Sequence, residues 1–474
     1  MCPQTLSIPA GIPVARKKPM ALAFLAVVLL LFVVSRGYIL VGLQPQLTDV
    51  TYYFNRATSA VDLREVPYKD FLVEYPPVAW WTIYLPRLAD GRQITDKNDA
   101  GQVVPVYKTY RRVFRGLMFL CDVAALVLLV MIVRRRRADW LGWAVLAYTV
   151  TTALLGYVLY DRLDVGLLFL LMLWAECWTR SLEHPNPDPL SKGKEETSGG
   201  TIAWSAAAYA ALGLSVGYKL IPIFCIPFLL FSEWYAPRRW ARLAMALLVL
   251  GLTAVLPFAV QYAVSGPGVF GLIQYHGERG IQIESLFATL MMVGSALGTP
   301  AMSTFSHAAY ELTGSLAQPM KAASTAALAA LLAVMGLWAL VRRSRFNREA
   351  GYRTACFVIP ASAILSNVLS PQYFVWALPL LLLVGSEILP EGNLRRWIMA
   401  ILLIVIAGLT TWVFPYHYFA SANGLGLLHA PFDRSPLSPV VSTVVGARNL
   451  IYLGVIIWLG AVSVRRARTG NKLS

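Results

Sequence analysis

The chain has 474 residues, of which 57% are hydrophobic and 14% charged, against roughly 25% charged in a soluble domain. Apolar runs of about 17 to 25 residues, the length that crosses a bilayer as helix, recur along most of it and exclude a soluble globular enzyme. The formal net charge of +16 does not imply a nucleic-acid partner, because the basic residues stand at the ends of the apolar runs.

Taken in chain order, the sequence predicts spans at 21–41, 112–133, 140–160, 165–179, 201–217, 220–235, 241–262, 322–341, 352–368, 374–388, 397–414 and 445–464. The fold class expected is an all-α polytopic membrane protein of about twelve transmembrane helices, one integral membrane domain over 1–474. Arg16-Lys17-Lys18 precede a first run too long for a signal peptide, so the N-terminus is expected in the cytoplasm. Arg134 to Arg137, Arg238-Arg239 with Arg242, Arg342-Arg343-Arg345, Arg395-Arg396 and Arg465-Arg466-Arg468 recur on alternate loops and read as positive-inside anchors. Both termini then face the cytoplasm of what is expected to be a bacterial plasma membrane, with loops 42–111 and 263–321 outside.

Within the first outside loop, 49–63 has the spacing of an amphipathic helix. Segment 78–88 is aromatic and apolar but too short to cross, and is expected to lie along the surface with Trp80, Trp81 and Tyr84 at headgroup level. Segment 286–297 reads as a re-entrant or interfacial helix, since a thirteenth span would turn every later Arg cluster outward. The Pro-, Ser-, Gly-, Lys- and Glu-rich loop 181–200 is expected to be a flexible cytoplasmic connector. Cys2, Cys121, Cys177, Cys225 and Cys356 have no metal-ligand spacing and read as thiols outside any disulfide framework. No internal repeat is evident.

The candidate chemistry gathers on the outside loops. Asp49 follows the first span, where a carboxylate stays ionised near neutral pH and suits a general base; it equally suits the N-cap of the helix after it. In Glu74-Tyr75-Pro76-Pro77 the prolines set a turn into the next helix, while Glu74 and Tyr75 remain to bond sugar hydroxyls. Asp122 lies two to three turns inside the second span, at a cost of about 2.5 to 3.5 kcal/mol, and must have an internal partner on another helix. In Tyr160-Asp161-Arg162-Leu163-Asp164 the charges either cap the next helix or bind substrate. Lys219 is an isolated cation at an outer helix end, where a lipid phosphate is its natural counter-ion. His276 and Arg279, in a polar stretch with Glu278, Gln282 and Glu284, suit a phosphate leaving group. A lone His/Glu pair is weak as a metal signal, so neither metal nor cofactor is expected. Ser370-Pro371-Gln372-Tyr373 is a polar turn between two spans.

Asp49 with Tyr52-Tyr53, Pro67-Tyr68 and Glu74-Tyr75-Pro76-Pro77 resembles the first outside loop of membrane glycosyltransferases of the GT-C superfold. Leu120-Cys121-Asp122, Tyr218-Lys219 with Pro222, and Ser370-Pro371-Gln372-Tyr373 extend the likeness. The set is most similar to glycosyltransferase family 87, which includes the bacterial phosphatidylinositol-mannoside mannosyltransferase. The resemblance implies a GT-C-like bundle and metal-independent, inverting transfer of a sugar, typically mannose, from polyprenyl phosphate to a lipid or glycan acceptor on the outer face. It also implies Asp49 as base; from their chemistry and position, Tyr52, Tyr68, Glu74, Tyr75, Asp161, Arg162, Lys219, His276, Arg279, Gln372 and Tyr373 are the expected substrate contacts. The rival reading is a transporter or flippase of lipids or lipid-linked sugars, which would place charges near the midplane rather than at one interface.

The topology is checked by single cysteines in a background free of native ones. Ser191→Cys should be protected from an impermeant thiol reagent in intact cells and Asp96→Cys should label; the reverse pattern would invert the map.

Overall fold

A computed structural model describes residues 19–43, 48–89, 95–97, 103–105, 107–183, 196–236, 238–389, 392–419, 426–428 and 437–469. The first apolar run forms α1 (Pro19–Gly37), continued by a π-helical turn at Tyr38–Gly42. Two shorter helices follow, α2 (Val50–Val61) and α3 (Pro77–Ala89), then a two-stranded ribbon of β1 (Thr95–Lys97) and β2 (Val103–Pro105). Helix α4 (Tyr107–Arg136) has 30 residues, about 45 Å at 1.5 Å per residue. Its last turn carries Arg134, Arg135 and Arg136, cations that complement the helix C-terminus.

Next come α5 (Leu141–Leu154), α6 (Gly156–Leu159), α7 (Asp164–Glu183), α8 (Glu196–Tyr218), α9 (Ile226–Trp234), α10 (Arg239–Leu250), α11 (Leu256–Ser265) and α12 (Gly271–Glu278). Strand β3 (Ile281–Gln282) leads to α13 (Leu286–Ala296), whose N-cap Ser285 accepts from the Ala288 amide at 3.1 Å. A hairpin of β4 (Met302–Ser306) and β5 (Ala309–Thr313) pairs antiparallel with β3 in the order β3-β5-β4. The bundle closes with α14 (Ala317–Val341), α15 (Arg348–Leu365), α16 (Tyr373–Ile388), α17 (Asn393–Thr411) and α18 (Pro439–Thr469).

The protein is an all-α integral membrane protein apart from these two small loop sheets. Seven described helical stretches are long and apolar enough to cross a membrane: Ala23–Gly42, Tyr107–Arg136, Asp164–Glu183, Arg239–Glu278, Ala317–Val341, Leu394–Tyr416 and Pro439–Arg465. The other five of the twelve expected spans are helical but fall short of that measure. Span 140–160 is broken at Leu155, 220–235 starts as a 3-10 turn, and α16 is a 16-residue inner helix buried along its length. A helix surrounded by protein has no need of a lipid-length apolar surface. Helices α2, α3 and α13 stand where short interfacial helices are expected. Trp80, however, is buried against Phe71, and of the three headgroup candidates Trp81 is the one markedly exposed. Helix α7 runs to Glu183 and α8 starts at Glu196, so the expected connector narrows to 184–195, outside the described residues.

The two ends of the bundle differ in chemistry. Where α4, α7 and α16 end, arginines meet carboxylates from other helices: Arg135 with Glu176 at 2.5 Å, Arg348 with Glu233 at 2.9 Å, Arg136 with Glu349 and Glu387, and Arg396 with Asp139. These arginines tie helices together as well as marking helix ends. Where the same three helices begin lie the segments 48–76 and 279–284, the β4–β5 turn and 370–373, which enclose a cavity.

Midway, the Asp122 carboxylate finds its partners on α1, on α5 and in the turn after α6. Arg36 Nε is 2.9 Å from Oδ2, Tyr148 donates to Oδ1 at 2.6 Å, and Tyr160 donates to Oδ2 at 2.6 Å. Both charged groups are sealed from solvent. Asp122→Asn should therefore cost about 3 to 5 kcal/mol by stranding a buried guanidinium, read as a lower unfolding midpoint in detergent. Adding Arg36→Met should restore part of the loss, and a double variant as unstable as the single would show that stranded charge is not its cause.

Candidate active site

The cavity has a volume of ≈ 440 Å3. Asp49, Tyr52, Glu74, Tyr75, Arg162, Lys219, His276, Arg279, Gln372 and Tyr373 all line it, from segments far apart in the chain. Two expected contacts, Tyr68 and Asp161, do not.

Asp49 stands at the N-cap position of α2 (φ −79°, ψ −12°), yet its side chain makes no cap bond. Thr48 Oγ1 takes up the Val50 amide instead, at 3.1 Å. Asp49 Oδ2 receives the Arg162 guanidinium and, at 3.4 Å, the Tyr53 hydroxyl. Its Oδ1 has no hydrogen-bond partner among the described residues. The carboxylate is thus oriented through one oxygen on a residue that lines the cavity, and capping does not account for it. Tyr53 in turn meets the Tyr75 hydroxyl at 3.2 Å.

The turn before α7 sends its charges in three directions. Asp161 is buried, accepts from Thr48 Oγ1 at 3.0 Å and lies 3.4 Å from Arg115 Nε. Burial raises its carboxyl above the usual range, against the pull of Arg115. It is scaffold, held behind the cavity wall. Arg162 turns inward to Asp49; burial lowers its guanidinium to about 10, so it remains cationic at neutral pH. Asp164 opens α7 and binds Lys219 Nζ at 2.6 Å and Trp376 Nε1 at 2.7 Å. Lys219 is therefore not isolated, as the sequence suggested: Asp164 neutralises it within the protein, and its Nζ sits 4.2 Å from the Tyr373 ring centroid.

Tyr68 is buried with φ +68° and donates to the Tyr75 carbonyl at 2.8 Å, fixing the turn that carries Glu74 and Tyr75. The chain after α11 packs so close here that a Cβ on Gly268 would lie 2.0 Å from the Tyr68 carbonyl oxygen.

Arg279, also in the cavity wall, is held by its backbone, with Asn367 donating to its carbonyl at 3.1 Å. Its Nε is buried without a hydrogen-bond partner, and its guanidinium joins no ion pair among the described residues. His276 Nε2 lies 3.1 Å from the Glu74 carbonyl, while Glu278 accepts from Gln274 at 2.7 Å. The His and Glu of that stretch do not converge on one point. Tyr52 is raised above its ordinary value by burial and by Glu74, and so remains a hydroxyl donor.

Several lining residues escape sequence reasoning. Glu284 and Gln282 stand in the polar stretch after Arg279, but nothing in their spacing singles them out. His307 and Ala308 form the β4–β5 turn, both at positive φ, and Phe305 with Tyr310 flanks it in register. Only Tyr310 and Leu312 of β5 alternate with polar neighbours; β4 shows no such alternation. Phe414, Tyr418 and Phe419 come from the chain after α17. Together the wall offers an oriented carboxylate, an Arg without an ionic partner, a Lys–Asp pair and aromatic surfaces, the components of a base-assisted displacement with an anionic leaving group.

The description of glycosyltransferase family 87 matches residues 75–371, which takes in Tyr75, Arg162, Lys219, His276 and Arg279 but stops short of Asp49, Tyr52 and Glu74 on one side and Gln372 and Tyr373 on the other. Among solved structures, ArnT from Cupriavidus metallidurans bound to undecaprenyl phosphate is 18% identical over 97% of this chain and 82% of that one, with a TM-score of 0.39. The Archaeoglobus fulgidus oligosaccharyltransferase in its apo form is 14% identical over 83% of this chain and 56% of that one, with a TM-score of 0.41. Likeness at that level fixes neither residue placement nor substrate. No curated protein matches the chain.

Proposed function

The chain belongs to glycosyltransferase family 87, and on that premise we propose that this membrane glycosyltransferase moves mannose from a polyprenyl-phosphate donor to a lipid or glycan acceptor on the outer face of a bacterial plasma membrane. The observation that carries the reading is Asp49, a cavity-lining carboxylate whose Oδ2 is held by Arg162 and Tyr53.

Asp49 Oδ1 takes the proton of the acceptor hydroxyl as that oxygen attacks the anomeric carbon. The bond from anomeric carbon to phosphate oxygen breaks on the opposite face, so configuration inverts, and polyprenyl phosphate leaves with the electron pair. Negative charge grows on the leaving phosphate. Arg279, a cation with no ionic partner among the described residues, binds it, and Lys219 adds what its pairing with Asp164 leaves available. Glu74, Tyr75, Tyr52 and Gln372 hold sugar hydroxyls. Arg162 orients the base through its bond to Oδ2.

Asp49→Asn keeps an oxygen for Arg162 but removes the proton acceptor. Purified variant should bind polyprenyl-phosphate mannose as the wild type does, and lose transfer by ~10²-fold or more, the scale of general-base catalysis. Near-normal turnover would reduce Asp49 to a partner for Arg162 and pass the base to Glu74. Buried Asp161 is no substitute.

A further inference from the structure

Glu284 sits between β3 and α13 and is fully buried, yet its side chain lines the cavity. Its partners lie on α18. Arg448, also fully buried, donates from Nη1 to Glu284 Oε2 at 2.7 Å and from Nη2 to the Glu284 carbonyl at 2.6 Å. Asn449 Nδ2 adds a bond to the same carbonyl at 3.1 Å and another to Thr289 at 2.9 Å. The remaining oxygen, Oε1, makes no hydrogen bond to any described residue, although the Gln282 side chain stands near enough to favour the carboxylate. A buried acceptor left unmet costs about 1 to 3 kcal/mol.

A purely architectural role for this cluster would be to tie the start of α13 to α18. That role uses Oε2 and the backbone carbonyl, and it accounts for the charge, since buried Arg448 needs a counter-ion. What the tie leaves unexplained is the unmet Oε1 of a residue that lines the cavity. Arg448 and nearby Arg162 disfavour a cation there, and the carboxylate repels a phosphate. A neutral hydroxyl donor suits both.

We propose that Glu284 is a specificity-determining residue whose Oε1 accepts a hydrogen bond from a hydroxyl of the pyranose bound in this cavity. The inference rests on reading the protein as a sugar transferase. The hydroxyl belongs to the donor sugar or to an acceptor glycan, and these sources separate experimentally.

The test uses full-length protein in detergent with three readouts: affinity for polyprenyl-phosphate mannose, affinity for the same polyprenyl phosphate without sugar, and acceptor KM. In Glu284→Gln the preference for the sugar-bearing lipid should fall about tenfold or more, with affinity for the bare lipid unchanged. A preserved preference with acceptor KM raised about tenfold would support the same contact and assign the hydroxyl to the acceptor. Equal losses for both lipids would overturn the proposal in favour of architecture, as would no change in any readout. Should Glu284→Gln fail to fold, Glu284→Asp keeps a charge for Arg448, withdraws the oxygen from the cavity and is read in the same way. Wild-type protein that binds the two lipids equally and transfers nothing would overturn the functional reading together with this one; wild-type preference retained by the variant, with acceptor KM also unchanged, overturns this one alone.

Discussion

An ionised side chain carried into a helical membrane bundle must find its counter-charge there, because neither lipid nor a dry interior will solvate it. That constraint organises this protein. Arg36 meets Asp122 between α1 and α4, Lys219 meets Asp164 between α8 and α7, and Arg448 meets Glu284 between α18 and the start of α13. Each pair joins segments distant in sequence. Each also leaves few rotameric choices to the side chains beside it, and the latter two pairs stand at the cavity itself.

The turn from Tyr160 to Asp164 shows how scaffold and site share one stretch of chain. Tyr160 and Asp161 face the interior, toward Asp122 and Thr48. Arg162 faces the cavity and Asp49, and Asp164 returns to the bundle to hold Lys219. A carboxylate of the first loop is thereby positioned by an arginine that is itself fixed by neighbours committed to helix packing. A general base must be held within a fraction of an ångström of its proton, and loops alone hold groups less well than helices do.

Much of this was legible in the sequence. Spacing and apolar run length found the helices, including the short α2, α3 and α13, because periodicity survives without tertiary information. Ten of the cavity's residues were found because polar groups at the ends of apolar runs have few other reasons to be there. Tyr68 and Asp161 were misplaced for one reason: sequence shows that a polar group lies near the interface, not which way the backbone turns it. Lys219 looked isolated because Asp164, its partner, lies far back along the chain. Glu284 was passed over since its significance depends on Arg448, on α18. Seven of the twelve expected spans are long and apolar enough to cross a membrane, whereas helices such as α16 are shorter and enclosed by protein.

The central claim is that Asp49 faces the reacting carbon while the opposite wall holds the leaving phosphate. The most direct measurement is a structure of the Asp49→Asn protein with polyprenyl-phosphate mannose bound. The account predicts phosphate oxygens about 2.7 to 2.9 Å from the Arg279 guanidinium and the anomeric carbon turned toward residue 49. A phosphate bound at the arginine-rich end of the bundle, or a sugar turned away from residue 49, would contradict it.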